Sequence, residues 1–117
     1  MQDFRNLKVW QKAHALTLAV YKVTGAFPND ERFGLTIQLR RTAAAIPIAL
    51  VDACGREGNL EFRKTLYLAM SSSSQLEYQL LLAHDLAYLP DPEHTRLTAD
   101  VVEVKRMITG LIHSVNG

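Results

Sequence analysis

NLEFRKTLYLAMSSSSQLEYQLLLAHDLAY, residues 59–88, is the longest patterned stretch of the chain, and the other segments take their places around it. From Phe62 the residues Leu66, Ala69, Ser73, Leu76, Leu80, Ala83 and Ala87 follow in alternating steps of four and three. That spacing predicts one apolar seam along a long helix. Between Thr65 and Tyr88 the only formal charges are Glu77 and Asp85, while Leu68, Met70, Tyr78, Leu81 and Leu82 lie off the seam. A helix that is apolar on most of its circumference is covered on more than one side. The side holding Leu68, Met70, Leu81 and Leu82 therefore calls for a second copy of the chain as cover.

Shorter patterns flank this helix. A first helix is expected from about Leu7 to Val23, with Asn6 as N-cap, Phe4 packing back on its first turns and Gly25 closing it. Trp10, Ala13, Thr17, Val20 and Thr24 form its inward stripe. Phe27-Pro28-Asn29-Asp30 breaks the chain, and Leu35, Leu39, Ala43, Ile46 and Leu50 then recur at helical spacing. Pro47 cannot donate to the Ala43 carbonyl, which predicts a kink between the two. A second stripe, Ile37, Arg41, Ala44 and Ile48, sets an arginine among isoleucines and reads as a partly covered surface. Ile37, Arg41, Ile48, Leu68, Met70, Leu81 and Leu82 are thus the candidate contact residues between copies.

Gly55-Arg56-Glu57-Gly58 forms a connection, and Asn59 is expected to cap the long helix. Leu89-Pro90-Asp91-Pro92 is a turn, with Asp91 as N-cap and Pro92 at the first helical position. Leu97, Val101, Val104, Ile108, Leu111 and Val115 make the last seam, in which Gly110 suggests a close helix contact. No strand-like alternation of useful length occurs. The expected fold is all-α: one domain over residues 1–117, an up-down-up-down antiparallel four-helix bundle with its second helix kinked near Pro47.

Composition narrows the function classes. The chain has 117 residues, 48% of them hydrophobic, 21% charged, and one cysteine. A single Cys54 permits no internal disulfide and no cysteine-built zinc site, and it reads as a small buried hydrophobe. No run is long and apolar enough for a signal peptide or a membrane span, so a cytoplasmic location without membrane association is expected. His14, His84, His94 and His113 include no pair spaced as two ligands on one helix face, so no metal site is expected. Ser71 to Ser74 lack the strand–turn–helix setting and paired base of a nucleophile, and read instead as small groups at a tight helix crossing. The six glycines form no phosphate loop. No catalytic residue and no cofactor is expected, and the chain reads as a non-enzyme.

The net charge is only +1, but it is unevenly spread. Residues 1–64 hold ten Lys/Arg against six Asp/Glu, and residues 65–117 three against six. Lys8, Lys12, Arg40, Arg41, Arg56, Arg63 and Lys64 are the candidate phosphate contacts, provided that they share a surface.

DFRNLKVWQKA (3–13), FPNDERFGLTIQLRR (27–41), AAIPIALVDACGR (44–56) and EFRKTLYLAMSSSSQLEYQLLLA (61–83) together resemble the four-helix-bundle proteins encoded by intervening sequences of bacterial 23S ribosomal RNA genes. The accessory variability determinant of diversity-generating retroelements is a relative of that family. The matches carried over are Leu7, Trp10, Ala13, Phe27, Pro28, Glu31, Leu35, Gln38, Arg41, Ile46 and Pro47. The resemblance implies an up-and-down bundle assembled as a homopentamer, with RNA or reverse-transcriptase association in some members. Around Pro47 the family pattern Ser-Ile-Pro-Ser-Asn-Ile-Ala-Glu-Gly is replaced at Ala45, Ile48, Ala49, Asp52 and Ala53. If the polar residues at that bend serve a binding role, this chain has lost much of it. Two functions follow as expectations: an oligomeric, non-enzymatic bundle presenting a basic face to RNA, or an adaptor for a protein partner such as a reverse transcriptase.

Overall fold

The computed structural model describes residues 2–115, and four long helices carry nearly all of them. They are α1 (Lys8–Thr24), α2 (Leu35–Cys54), α3 (Asn59–Asp85) and α4 (Asp91–Ser114), with short 3-10 turns at Phe4–Asn6 and Asn29–Glu31. The described chain measures 46 × 23 × 20 Å, the proportions of a prism one long helix in height.

In cross-section the helices form a square. Each packs on its neighbours in sequence, α1 also packs on α4, and among the described residues the backbones do not approach closely across either diagonal. Hydrogen bonds join helix starts to helix ends. The Gln2 amide donates to the Cys54 carbonyl, the Arg40 side chain reaches the Tyr21 carbonyl, and Arg63 Nη1 donates to the Val115 carbonyl.

The seams expected from spacing are largely the buried ones, but on α1 Trp10 is only partly buried, against Phe4 and His14, and Val9 and Leu16 enter the core. On α3, Leu66, Ala69, Ser73, Leu76, Leu80 and Ala83 are buried, with Phe62 packed at their edge. On α4 the buried set is Leu97, Val101, Val104, Ile108 and Ile112, with Leu111 only partly buried. Alanines and one serine line the middle of the bundle: Ala13, Ala43, Ala53, Ala69, Ser73 and Ala83 are all fully buried. Small side chains at these positions let the helix axes approach. Gly110 does not share this role, because a Cβ placed there meets nothing within 4 Å.

α2 continues as one helix through Pro47, so the expected bend does not interrupt it. The carbonyl that Pro47 leaves without its helical partner belongs to Ala43. It accepts instead from α1, where the single proton of the Thr17 hydroxyl is shared between the Ala13 oxygen at 2.8 Å and the Ala43 oxygen at 3.1 Å. One buried hydroxyl thus fills a gap in α2 and ties α1 to it.

The ends of the helices differ from the expected caps. Leu7, Gly58 and Pro90 occupy the N-cap positions of α1, α3 and α4, and none donates a side-chain cap. Asn6, Asn59 and Asp91 are each displaced by one residue from that role. The start of α2 is capped from a distance, with Glu31 Oε1 accepting from the Leu35 amide at 3.0 Å while Oε2 accepts from the Tyr88 hydroxyl. Gly58 adopts φ 79° and ψ 151°, a conformation open to glycine almost alone.

α3 stops short of Ala87, the last residue of its predicted seam. Ala87 has φ 65°. Its amide donates to the His84 carbonyl and the Tyr88 amide to the Ala83 carbonyl, both at 2.9 Å. This pair of bonds is a complete Schellman motif with alanine where glycine is favoured. Ala87→Gly should therefore raise stability by about 0.5–1 kcal/mol, since relief of the left-handed strain outweighs the added freedom of the unfolded chain. An increased urea midpoint at unchanged m-value checks it.

Candidate interaction surfaces

The described residues hold no cluster of three or more His, Cys, Asp or Glu able to bind a metal, and no helix long and apolar enough to cross a membrane. Ser73 is fully buried and its hydroxyl donates to the Ala69 carbonyl, while Ser71 and Ser74 are exposed. Cys54 is buried, and that burial pushes its thiol up from the ordinary value, which suppresses the reactive thiolate. It borders a cavity of about 260 Å³ between the end of α2 and the start of α3, whose Arg56 is held by both oxygens of Asp52.

A close group of titratable residues joins α3 to α4. His84 Nε2 bonds Asp91 Oδ1, His84 Nδ1 lies 3.5 Å from Asp85 Oδ1, and the His84 ring stacks on His94 with centroids 4.3 Å apart. The Asp91 hydrogen bond is the main influence raising the His84 imidazole above its usual value; partial desolvation opposes it and Asp85 adds to it. A raised folded-state value means that this clamp stabilises fully below the ordinary imidazole range and is lost as pH rises through the folded value. In an NMR titration His84 should therefore titrate above an unperturbed histidine, and Asp91→Asn should bring it down. Equal midpoints in the two proteins would contradict this.

The basic residues expected to meet phosphate divide between the two ends of the bundle. Arg40 lies near the end of α1: its Nε donates to Thr24 Oγ1 at 2.8 Å and its guanidinium sits 4.8 Å from the Tyr21 ring centroid. Arg56 lies sixteen residues further along the chain, roughly 24 Å away at helical rise. Beside it are Lys64, paired with Glu61, and Arg63, bonded to Val115. Lys12 pairs with Asp100 of α4. Of the seven, Lys8 and Arg41 have no hydrogen bond or ion pair among the described residues. The set forms no single patch on one protomer.

The outward apolar residues are better organised. On α3, Tyr67, Tyr78 and Leu81 are 56%, 61% and 44% exposed, and Ser71 and Ser74 lie exposed between them. Steps of four, three, four and three put all five on one stripe, opposite the buried seam. On α2, Ile48 is 65% exposed, and Ile37, Arg41 and Val51 share its side, with Phe33 just ahead of the helix at 82%. Leu68 is exposed on the side of α3 nearer α2, whereas Met70 and Leu82 are partly buried against the protomer's own core. Tyr67, Tyr78, Phe33 and Val51 extend the expected contact set; their spacing was visible in the sequence, but their direction depended on which face the core claimed.

No curated protein matches this chain. Among solved structures, the fold is similar to the crystal structure of a protein of unknown function from the S23 ribosomal protein family of Bacteroides thetaiotaomicron, with a TM-score of 0.83 at 18% identity. The match covers 90% of this chain and 95% of that one. The sequence itself matches the 23S rRNA-intervening sequence protein family over residues 5–110. With that match extending from the turn before α1 into the last turns of α4, the chain belongs to the 23S rRNA-intervening sequence protein family.

Proposed function

We propose that this protein is a non-enzymatic bundle that works as a homo-oligomer, a pentamer by the family resemblance. The observation that carries the reading is the pair of apolar stripes on the outward sides of α2 and α3. Isolated exposed hydrophobic residues are ordinary, but large ones aligned at helical spacing, here with only small serines and one arginine among them, favour an association surface. Light scattering after gel filtration at micromolar concentration should give a multiple of the 13.1 kDa chain mass. A monomer under those conditions would sink the proposal.

A second reading, contact with RNA, draws support from α1, where Lys8 and Lys22 are exposed without a partner in the described chain. Repeated around an oligomer, these charges would add up although each protomer is nearly neutral. Binding to single-stranded RNA should then weaken steeply with salt. Lys8→Ala with Lys22→Ala should lower the slope of log affinity against log salt by about 1.4 for each protomer that touches the strand. No binding at low salt would remove this reading. Arg40 is a poor probe, because its side chain holds α1 to α2.

A further inference from the structure

The end of α1, the α3–α4 connection and the start of α4 border a cleft of about 560 Å³. Small-molecule sites run from roughly 300 to 1,000 Å³. The floor is apolar: Val23 is partly buried against the core, Leu89 is buried, and Pro90 adjoins them. Tyr88 also lines the cleft and is held at both ends. Its ring packs on Phe27 with centroids 5.6 Å apart, and its hydroxyl donates to Glu31 Oε2 at 3.0 Å. What Tyr88 offers a ligand is therefore a fixed aromatic surface, with its polar tip already used.

Three charged side chains share the lining: Lys22 of α1, and Glu93 and Arg96 of α4. None of them has a hydrogen bond, ion pair or ring contact among the described residues. The neighbouring carboxylates are engaged elsewhere, Asp91 by His84 and Glu31 by the Leu35 amide and Tyr88. Glu93 and Arg96 stand three apart on one helix, a spacing that permits pairing, and yet they do not pair. Among the described Lys and Arg residues, Lys8, Lys22, Arg41 and Arg96 are the ones without such a partner, and two of them stand over this one cleft.

Each part of this lining asks for a different chemical group. Two free cations suit a phosphate monoester, which carries about −1.5 to −2 charges at pH 7, better than a carboxylate with one. The apolar floor and the Tyr88 ring suit a flat ring. A carboxylate such as Glu93 accepts hydrogen bonds and suits a ring edge that presents N–H groups. We infer that the cleft binds a 5′-nucleoside monophosphate, with the phosphate between Lys22 and Arg96, the base on the floor beside Tyr88, and its donor edge at Glu93. Guanine fits best, because its N1–H and exocyclic amine are adjacent donors that one carboxylate can accept together. The same group occurs on a free nucleotide and at the 5′ end of a strand. It does not occur inside a strand, where each phosphate is a diester with a single charge, so this site is distinct from the strand contact proposed above.

Titration calorimetry at low salt with guanosine 5′-monophosphate should show binding, with uridine 5′-monophosphate weaker and inorganic phosphate weaker still. Lys22→Ala and Arg96→Ala should each weaken the guanosine ligand about tenfold. Glu93→Gln should remove the preference for guanosine over uridine, and Ala26→Trp, at the cleft edge, should block both. Lys8→Ala deletes an equally unpartnered charge at the other end of α1 and should change nothing. All five positions are exposed or partly so, so the fold should persist, with helical circular dichroism as the check. Two oligoribonucleotides that begin with guanosine separate the sources. Tighter binding of the 5′-phosphorylated strand than of its 5′-hydroxyl counterpart assigns the site to strand ends; binding of the free nucleotide with no such difference assigns it to free nucleotides. Inorganic phosphate binding as tightly as the nucleotide, an affinity unmoved by Arg96→Ala, or no binding of either the nucleotide or the phosphorylated strand would overturn the inference.

Discussion

Thr17→Val should destabilise the protein by about 1–3 kcal/mol although the two side chains are nearly the same size. The cost comes from the partner left behind. Thr17 Oγ1 is the donor that reaches the Ala43 carbonyl at 3.1 Å, and Pro47 has removed the amide that would otherwise bond it. Valine leaves a fully buried carbonyl without a donor, which costs the desolvation of that group. The Ala13 carbonyl, the other acceptor of the same hydroxyl, keeps its helical partner. The explanation predicts a specific coupling: with Pro47→Ala present, the restored amide serves Ala43, and Thr17→Val should then cost well under 1 kcal/mol. A double-mutant cycle from urea unfolding at fixed protein concentration measures it. Equal costs in the two backgrounds would show that Thr17 acts through packing alone.

Ser73→Leu should cost about 1–3 kcal/mol through overpacking, while Ser73→Ala should be nearly neutral. Ser73 is 0% exposed, and its neighbours along the α3 seam include the equally buried Ala69 and Leu76. Its hydroxyl donates to the Ala69 carbonyl one turn back, a bond that adds little to a carbonyl already within a helical ladder. Alanine therefore removes little, whereas leucine forces the helices apart. Urea midpoints of the two variants against wild type decide the matter. A destabilising alanine variant would mean that the hydroxyl matters beyond its size.

The four helices and their buried seams were legible because periodicity reports burial directly. Phe62 to Ala83 needed only the alternation of fours and threes. The caps were less legible. Asn6, Asn59 and Asp91 each looked like an N-cap, yet each helix starts one residue from the expected place, and Glu31 caps α2 from across a turn. A cap depends on the local backbone, which sequence spacing does not contain. The end of α3 was missed because alanine, with no glycine to mark it, takes the left-handed position at residue 87.

The outward apolar face was legible in part. Ile37, Arg41, Ile48, Leu68 and Leu81 lie on the outer side of the bundle, but Met70 and Leu82 pack partly on its own core. A helix nearly apolar all round does not reveal which of its faces the protomer itself will use. The basic residues showed the same gap between sequence and space: a charge excess in the first half of the chain became two groups at opposite ends, most of them held by partners on the same chain.

The square arrangement also shapes how the chain folds. Three of its four sides join helices that follow one another through short connections, and only the α1–α4 side brings distant parts of the chain together. The α2–α3 pair has the most extensive packing and the α1–α4 pair the least. Most contacts can form without closing a long loop, which favours rapid folding from the central hairpin outward. With the sparsest packing, the α1–α4 side is expected to open first in the native protein while the α2 and α3 stripes keep their shape, and its amides should then exchange soonest.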